Sequence, residues 1–391
     1  MTGVGGKVER TWPLFIGGFL GPFGGSLVTT MLPELGRDLD VTVELASSTL
    51  TAYLVPFAAL MLVSGTLAER IGRRRTVRVA YLVYALASLG AVLAPNFQLF
   101  FIARILQGAS NAFTTPVLVG AITDAVPPHR LNRSLGVFGS LQAFGMAASP
   151  LAGGLSAAVH WRWAFVVCAL VAGVLFFLPP PDSSRATPVD SPSRWRALAN
   201  RRLALAAFVA GIAYLTTSGV LVLTALYARE EFGLTPGLAG VVVAVFGVAG
   251  LLTGRRTGGW MDRFGVLRVG TLVHLLLGLS CAAIALTAGL SRGIGVAIVV
   301  ALVALGGVAG TAGRSTTQSL AVTSAPTNRA GASSVMLACQ FSGSALAPIL
   351  WVPIFVGSAP WLALVAAGMP ALVAALTLGW AWRTASKMDL F

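Results

Sequence analysis

Two arginines, Arg104 and Arg314, stand inside long apolar runs. A charge in a membrane-length apolar segment is costly and marks a functional position unless its head snorkels to the surface. Arg104 falls about 9 Å along a helix from the nearer end of its run, at 1.5 Å per residue. Arg314 either ends the apolar part of its run or lies near its middle. An internal echo of Pro127 and Arg130 by Pro326 and Arg329 aligns it with the Thr115/Pro116 region, which favours the middle. No acid matches these cations: all thirteen Asp and Glu residues fall at run ends, in loops or in tails. Polar and aromatic side chains inside the runs (Tyr53, Gln107, Asn111, Gln142, Phe144, Tyr214, Thr217, Gln318 and Gln340) are candidates for a polar-lined cavity. No run carries His and a carboxylate within one turn, so an enzyme site inside the runs is not expected. Cys168, Cys281 and Cys339 have neither metal-ligand nor disulfide spacing and read as small core residues. A Gly-x-x-x-x-Gly-Lys-Ser/Thr loop is absent, so no nucleotide site of that kind, and no cofactor, is expected.

These residues need elements that hold them in lipid. Of the 391 residues 56% are hydrophobic and 10% charged, and mean hydropathy is +0.83. An ordinary soluble domain carries about 25% charged residues. Twelve apolar spans are expected at 12–33, 45–68, 76–94, 98–124, 134–157, 163–179, 203–227, 236–254, 267–290, 294–324, 330–357 and 360–382. In a bilayer such spans are helices, because a helix satisfies its own backbone. The class is an all-α polytopic membrane protein. The first span lacks a small-residue cleavage site, so a cleaved signal peptide is not expected.

The net charge of +14 would suggest nucleic acid in a soluble protein, but the cations cluster between spans. With the amino terminus inside, 21 of the 27 Lys and Arg residues face the cytoplasm. Both termini are therefore expected to be cytoplasmic. Residues 180–202, rich in Pro, Ser and Arg, read as a cytoplasmic linker between a six-helix bundle at 1–179 and a second at 203–391 with a short tail. The halves repeat: GTLAERIG (Gly65 to Gly72) recurs as GGWMDRFG (Gly258 to Gly265), 193 residues later. Parallel repeats with a site between them near midplane are a transporter architecture.

The loop GTLAERIGRRR, between spans 2 and 3, resembles the Gly-x-Leu-Ala-Asp-Arg-x-Gly-Arg-Arg/Lys signature of the major facilitator superfamily, with Glu69 in place of Asp. Arg104-Ile105-Leu106-Gln107-Gly108 is similar to the Arg-x-x-Gln-Gly motif of its proton-coupled drug exporters. Gly136, Gly145, Ser149-Pro150 and Gly153-Gly154 resemble their span-5 antiporter motif, with Ser149 replacing a Gly. Trp161-Arg162-Trp163-Ala164-Phe165 follows, as is common there. The resemblance spans Trp12 to Trp382 and implies the major facilitator fold, twelve helices in two pseudo-symmetric six-helix bundles.

What the resemblance implies for function is secondary-active efflux of small amphipathic compounds from a multi-pass, monomeric protein in the cell membrane. Its partners are the small-molecule substrate, the bilayer and protons. Gly65, Glu69, Arg70, Gly72, Arg73 and Asp124 form an expected cytoplasmic gate. In it Glu69 caps the start of span 11 near Ala330 to Ser334. Arg104 and Gln107 are expected to serve coupling. Gly136, Gly145, Pro150, Gly153 and Gly154 make span 5 a bent, smooth interface helix, whose glycines let the opposing half close the outer side. Tyr53, Asn111, Gln142, Tyr214, Arg314 and Gln340 are expected substrate contacts. The stretch Phe23-Gly24-Gly25-Ser26-Leu27 lacks the span-1 carboxylate that such exporters often use. A cavity holding Arg104 and Arg314 without a buried acid suits neutral or anionic compounds. A coupled proton then rides on Glu34, Asp38, Glu69, Asp124 or the substrate. His274 titrates in the right range but lies on span 9, an outer, lipid-facing helix in this family, so a structural role is expected for it. The rival reading is a carrier of a defined organic anion that uses Arg314 and Arg104.

Overall fold

Apolar length and end caps set the helices of this computed structural model. It describes residues 12–125, 128–179, 198–357 and 359–388, and no strand occurs among them. The helices are α1 (Trp12–Ser26), α2 (Leu32–Asp38), α3 (Val43–Ile71), α4 (Arg73–Leu93), α5 (Phe97–Asn111), α6 (Thr115–Ala125), α7 (Pro128–Val159), α8 (Arg162–Phe177), α9 (Arg201–Glu230), α10 (Pro236–Phe264), α11 (Val266–Ile284), α12 (Arg292–Ser324), α13 (Arg329–Gly357) and α14 (Pro360–Met388). Eight of them are long and apolar enough to cross a membrane (α3, α4 and α9 to α14), and the bent pair α1/α2 makes a ninth. The expected spans 4, 5 and 6 are helical, with shorter apolar stretches. The expected linker at 180–202 lies largely outside the described residues.

Two expected spans are not straight. Span 1 turns by 71° between Thr30 and Leu32. A 3-10 turn at Leu27–Thr30 joins its two helices, and Pro33 opens the second, where its missing N–H costs nothing. Span 4 breaks between Asn111 and Thr115. There the Thr114 hydroxyl turns back onto the Asn111 carbonyl at 2.8 Å, and Pro116 restarts the helix as α6.

The repeat has a physical counterpart in the backbone. Thr42 caps α3 by accepting from Leu45 N–H, and Thr235, 193 residues on, caps α10 by accepting from Leu238 N–H. Each helix ends at a glycine in the left-handed region, Gly72 at φ +103° and Gly265 at φ +83°. A side chain at either turn would be strained. Helix α3 then packs along α5, and α10 along α12, in close backbone contact. A Cβ on Gly108 would stand 1.9 Å from the Tyr53 carbonyl oxygen, and one on Gly307 2.1 Å from that of Phe246.

Leu86, Leu170, Leu252, Leu376 and Trp380 project outward as an apolar jacket. Gly108→Ala should lower the thermal midpoint of the detergent-solubilised protein, because the new methyl meets backbone that cannot move aside. The expected cost is about 1–3 kcal/mol, and an unchanged melting curve would contradict the contact.

Candidate ligand cavity

Helices from both halves of the chain converge on one cavity of about 530 Å³. Tyr53 and Phe57 of α3, Gln142 and Met146 of α7, Tyr214 and Thr217 of α9, Arg314 and Gln318 of α12, and Gln340 and Phe341 of α13 line it. Gly21, Pro22, Gly25, Ser26 and Thr29 of the first span complete the wall. Volume and apolar lining fit a drug-sized molecule. The lining holds a single charged side chain, Arg314, and no carboxylate among the described residues.

Five expected substrate contacts, Tyr53, Gln142, Tyr214, Arg314 and Gln340, line this cavity; Asn111 does not. It is buried behind Tyr53, and its side-chain amide donates to the Tyr53 hydroxyl at 2.9 Å. That hydroxyl donates to the Gly21 carbonyl at 3.2 Å, so Asn111 orients a wall residue. Phe144 packs on Phe19 outside the cavity.

Arg104 is also absent from the lining, contrary to the expectation that it shares the cavity with Arg314. It is fully buried. Its guanidinium stacks 4.4 Å from the Tyr53 ring centroid and donates to the Gly24 carbonyl at 3.1 Å and to Gln107 Oε1 at 2.8 Å. Gln107 passes the chain on, donating to Ser88 at 2.8 Å. Carbonyl oxygens and a π face compensate this cation in place of an acid. Tyr53 thus stands between Arg104 and the cavity.

The cavity is closed at the end that carries Glu34 and Arg229. Arg229 grips Glu34 through two bonds, at 2.8 and 2.5 Å, and Arg37 adds a third contact at 3.1 Å. This fork joins α2 to the end of α9. Alongside it α7 meets α10 backbone to backbone. A Cβ on Gly154 would lie 2.3 Å from the Pro236 oxygen, one on Gly240 2.6 Å from the Pro150 oxygen, and one on Gly247 2.5 Å from Ala147. Thr51 of α3 donates to the Ala345 carbonyl of α13 at 2.5 Å, and Phe57 meets Phe341 edge-on at 4.7 Å.

Not every glycine of the span-5 motif serves that seam. Gly145 and Gly153 face the first span, against the carbonyls of Phe19 in α1 and Leu27 in the turn after it, and between them Ser149 donates to the Phe23 carbonyl at 2.5 Å. Positions 145, 149 and 153 lie four apart on one face of the helix. Pro150 and Gly154 lie on another, and that face meets α10. The expectation that Gly145 and Gly153 touch the opposing half is therefore corrected.

Of the expected gate, Gly65, Glu69 and Asp124 have side chains outside the described ones, as does Gly136 of the span-5 motif. Arg70 is exposed, and Gly72 and Arg73 are half-buried at the turn into α4. The Glu34–Arg229 fork escaped the sequence reading because both residues stand beyond an apolar run and read as loop charges.

The sequence profile of the Major Facilitator Superfamily matches residues 14–348. The chain is 35% identical over 175 residues to the puromycin resistance protein pur8 of Streptomyces alboniger, covering 43% of this chain and 35% of that one. It is 30% identical over 165 residues to the MFS antiporter QDR3 of Candida albicans, covering 41% and 24%. These matches span about a quarter to a third of the curated relatives' length. In fold it is similar to a bacterial homologue of the human lysosomal transporter Spinster, in an inward-facing and unoccupied conformation. The TM-score is 0.74 at 16% identity, over 98% of this chain and 99% of that one. A D-xylose–proton symporter gives a TM-score of 0.73 at 16% identity, over 95% and 96%.

Glu34→Gln should loosen the closed end. A charge-assisted bond is worth about 1.5–3 kcal/mol, so opening should become roughly ten- to a hundred-fold more frequent. Cysteine placed at the buried wall position Thr29, in a Cys339→Ser background, reports this through its labelling rate with a bulky impermeant maleimide. An unchanged rate would mean that the glycine seam alone holds the closure.

Proposed function

The chain belongs to the Major Facilitator Superfamily, and from that premise we propose that it performs secondary-active efflux of small amphipathic compounds by alternating access, as a proton antiporter favouring neutral or anionic substrates. The observation that carries this reading is the acid-free, largely apolar cavity with Arg314 as its one charged side chain. A permanently cationic ligand would lose its hydration there without gaining a counter-charge. A neutral amphiphile keeps the apolar contacts, and an anion gains the guanidinium.

Efflux is supported by relatives named for puromycin resistance and for antiport. The basic loops put the linker end in the cytoplasm. The sealed Glu34 end is then extracellular, and the conformation is inward-open, ready to load from the cytoplasm. Two bundles, 1–179 and 203–391, rock about the cavity, with the linker at 180–202. The seam of Gly154, Gly240 and Gly247 and the Glu34–Arg229 fork part in the outward-open state. The Glu69, Arg70 and Asp124 cluster latches the cytoplasmic side there. One chain contains the whole cavity, which supports a monomer in the cell membrane.

A carrier for a defined organic anion is the second reading, favoured by Arg314. Arg104 does not contribute to it, since it lies behind Tyr53.

Proteoliposomes holding the purified protein test the proposal, with neutral chloramphenicol and cationic ethidium followed under an imposed pH gradient. Gradient-driven movement of chloramphenicol, with ethidium ignored, is expected. Gradient-driven ethidium transport would overturn the charge selectivity. Arg314→Ala separates the two readings: a broad exporter keeps chloramphenicol transport, whereas an anion carrier moves neither compound and loses all transport with this arginine.

A further inference from the structure

Behind Arg314 the cavity wall continues into a small void of about 10 Å³, lined in part by Tyr214, Thr217, His274, Gly313, Arg314 and Thr317. Tyr214, Thr217 and Arg314 belong to the wall of the main cavity as well, so the two spaces adjoin. A void near 10–15 Å³ is about the least that holds one water. His274 is 1% exposed. Its side chain therefore faces inward rather than toward lipid, whatever the place of its helix. Nδ1 lies 2.7 Å from the Gly270 carbonyl oxygen. A carbonyl only accepts, so Nδ1 carries the hydrogen and Nε2 keeps the free lone pair. Nε2 points at α12: a Cβ on Gly313 would come within 3.1 Å of it.

We propose that His274 carries the coupled proton, taken up on Nε2 through one water in the void behind Arg314. The proposal rests on the antiport reading above and names the group that performs it. An imidazole can take up and release a proton reversibly, and the described cavity wall offers no carboxylate to do so. The void offers that water partners. The Thr217 hydroxyl donates to the Ala213 carbonyl at 3.2 Å, and that of Thr317 to the Gly313 carbonyl at 3.1 Å, which leaves both oxygens free to accept from water.

The groups around the imidazole decide the sign of the coupling. Helix α12 presents Arg314 and α9 presents Tyr214, while α10 contributes nothing to the void. Helix α14 has no ionisable residue before Arg383, and α11 itself carries only Arg268 and Cys281 besides His274. A protonated His274 therefore faces a like charge and depends on water for its stability. A neutral molecule in the cavity shuts that water off, and the proton leaves Nε2 for solvent while Nδ1 keeps its own. By reciprocity the protonated state binds a neutral molecule less well, and this is antiport.

Nuclear magnetic resonance of the ring carbons in histidine-labelled protein, with His274 assigned by its loss in His274→Gln, reads the site directly. The His274 signal is expected to titrate in the free protein, and chloramphenicol is expected to drive it to the neutral form. Chloramphenicol affinity should fall about tenfold for each pH unit below the midpoint of that titration in the parent protein. It should stay flat in His274→Gln and equal the parent's above that midpoint. A signal that does not titrate, or a His274→Gln protein that keeps the pH dependence, overturns the proposal. If chloramphenicol does not bind at all, the transport reading fails instead, and the ligand-free titration still decides whether Nε2 takes up a proton.

Discussion

Helices in lipid close on one another only where no side chain stands between their backbones, and the seam of α7 against α10 is where this constraint decides the structure. Lipid chains are as apolar as leucine, so tight packing and polar bonds replace the hydrophobic effect in holding such helices together. Gly154, Gly240 and Gly247 remove the obstructing carbons, and peptide groups then meet at contact distance. A second face of α7 docks on the first span by the same means, through Gly145, Ser149 and Gly153. One helix therefore ties the first span to the second half of the chain. The bend of that first span carries Glu34 to within reach of Arg229. Seam and fork together close one end of the cavity and fix its shape.

The two membrane-embedded arginines are treated in opposite ways. Arg104 is compensated by carbonyls, Gln107 and the Tyr53 ring, and is walled off. Arg314 borders both the open cavity and the void behind it. The first charge organises α1, α3 and α5 around a polar chain that reaches Ser88. The second sets the electrostatic sign of the space that a ligand enters. The described lining holds one cation and no acid, so apolar contact acts on every ligand and charge adds a second filter for ions.

Much of this was legible in the sequence. Run lengths located the helices, and the 193-residue repeat held the paired turns at Gly72 and Gly265, while the matching caps at Thr42 and Thr235 went unread. The breaks at Leu32 and Asn111 were not legible, because apolar averages ignore where a proline restarts a helix. The two faces of α7 were present as four-residue spacing, Gly145, Ser149 and Gly153 against Pro150 and Gly154, but a motif read as one unit hides its faces. His274 belongs to the buried stripe Gly270, Val273, His274, Leu277 and Cys281, a helical period that turns it inward. Pairing across the closed end was beyond the sequence, since Glu34 and Arg229 are 195 residues apart and nothing local links them.

The central claim is that the lone cation of an acid-free cavity selects ligands by charge. The most direct test is the ratio of affinities for an anionic dye, anilinonaphthalene sulfonate, and for cationic ethidium, measured by fluorescence on the parent protein and on Arg314→Glu. The account predicts a preference for the anion in the parent protein and a reversed preference in the variant. A ratio that the substitution leaves unchanged would contradict it, and would mean that both dyes bind by shape and apolar contact alone.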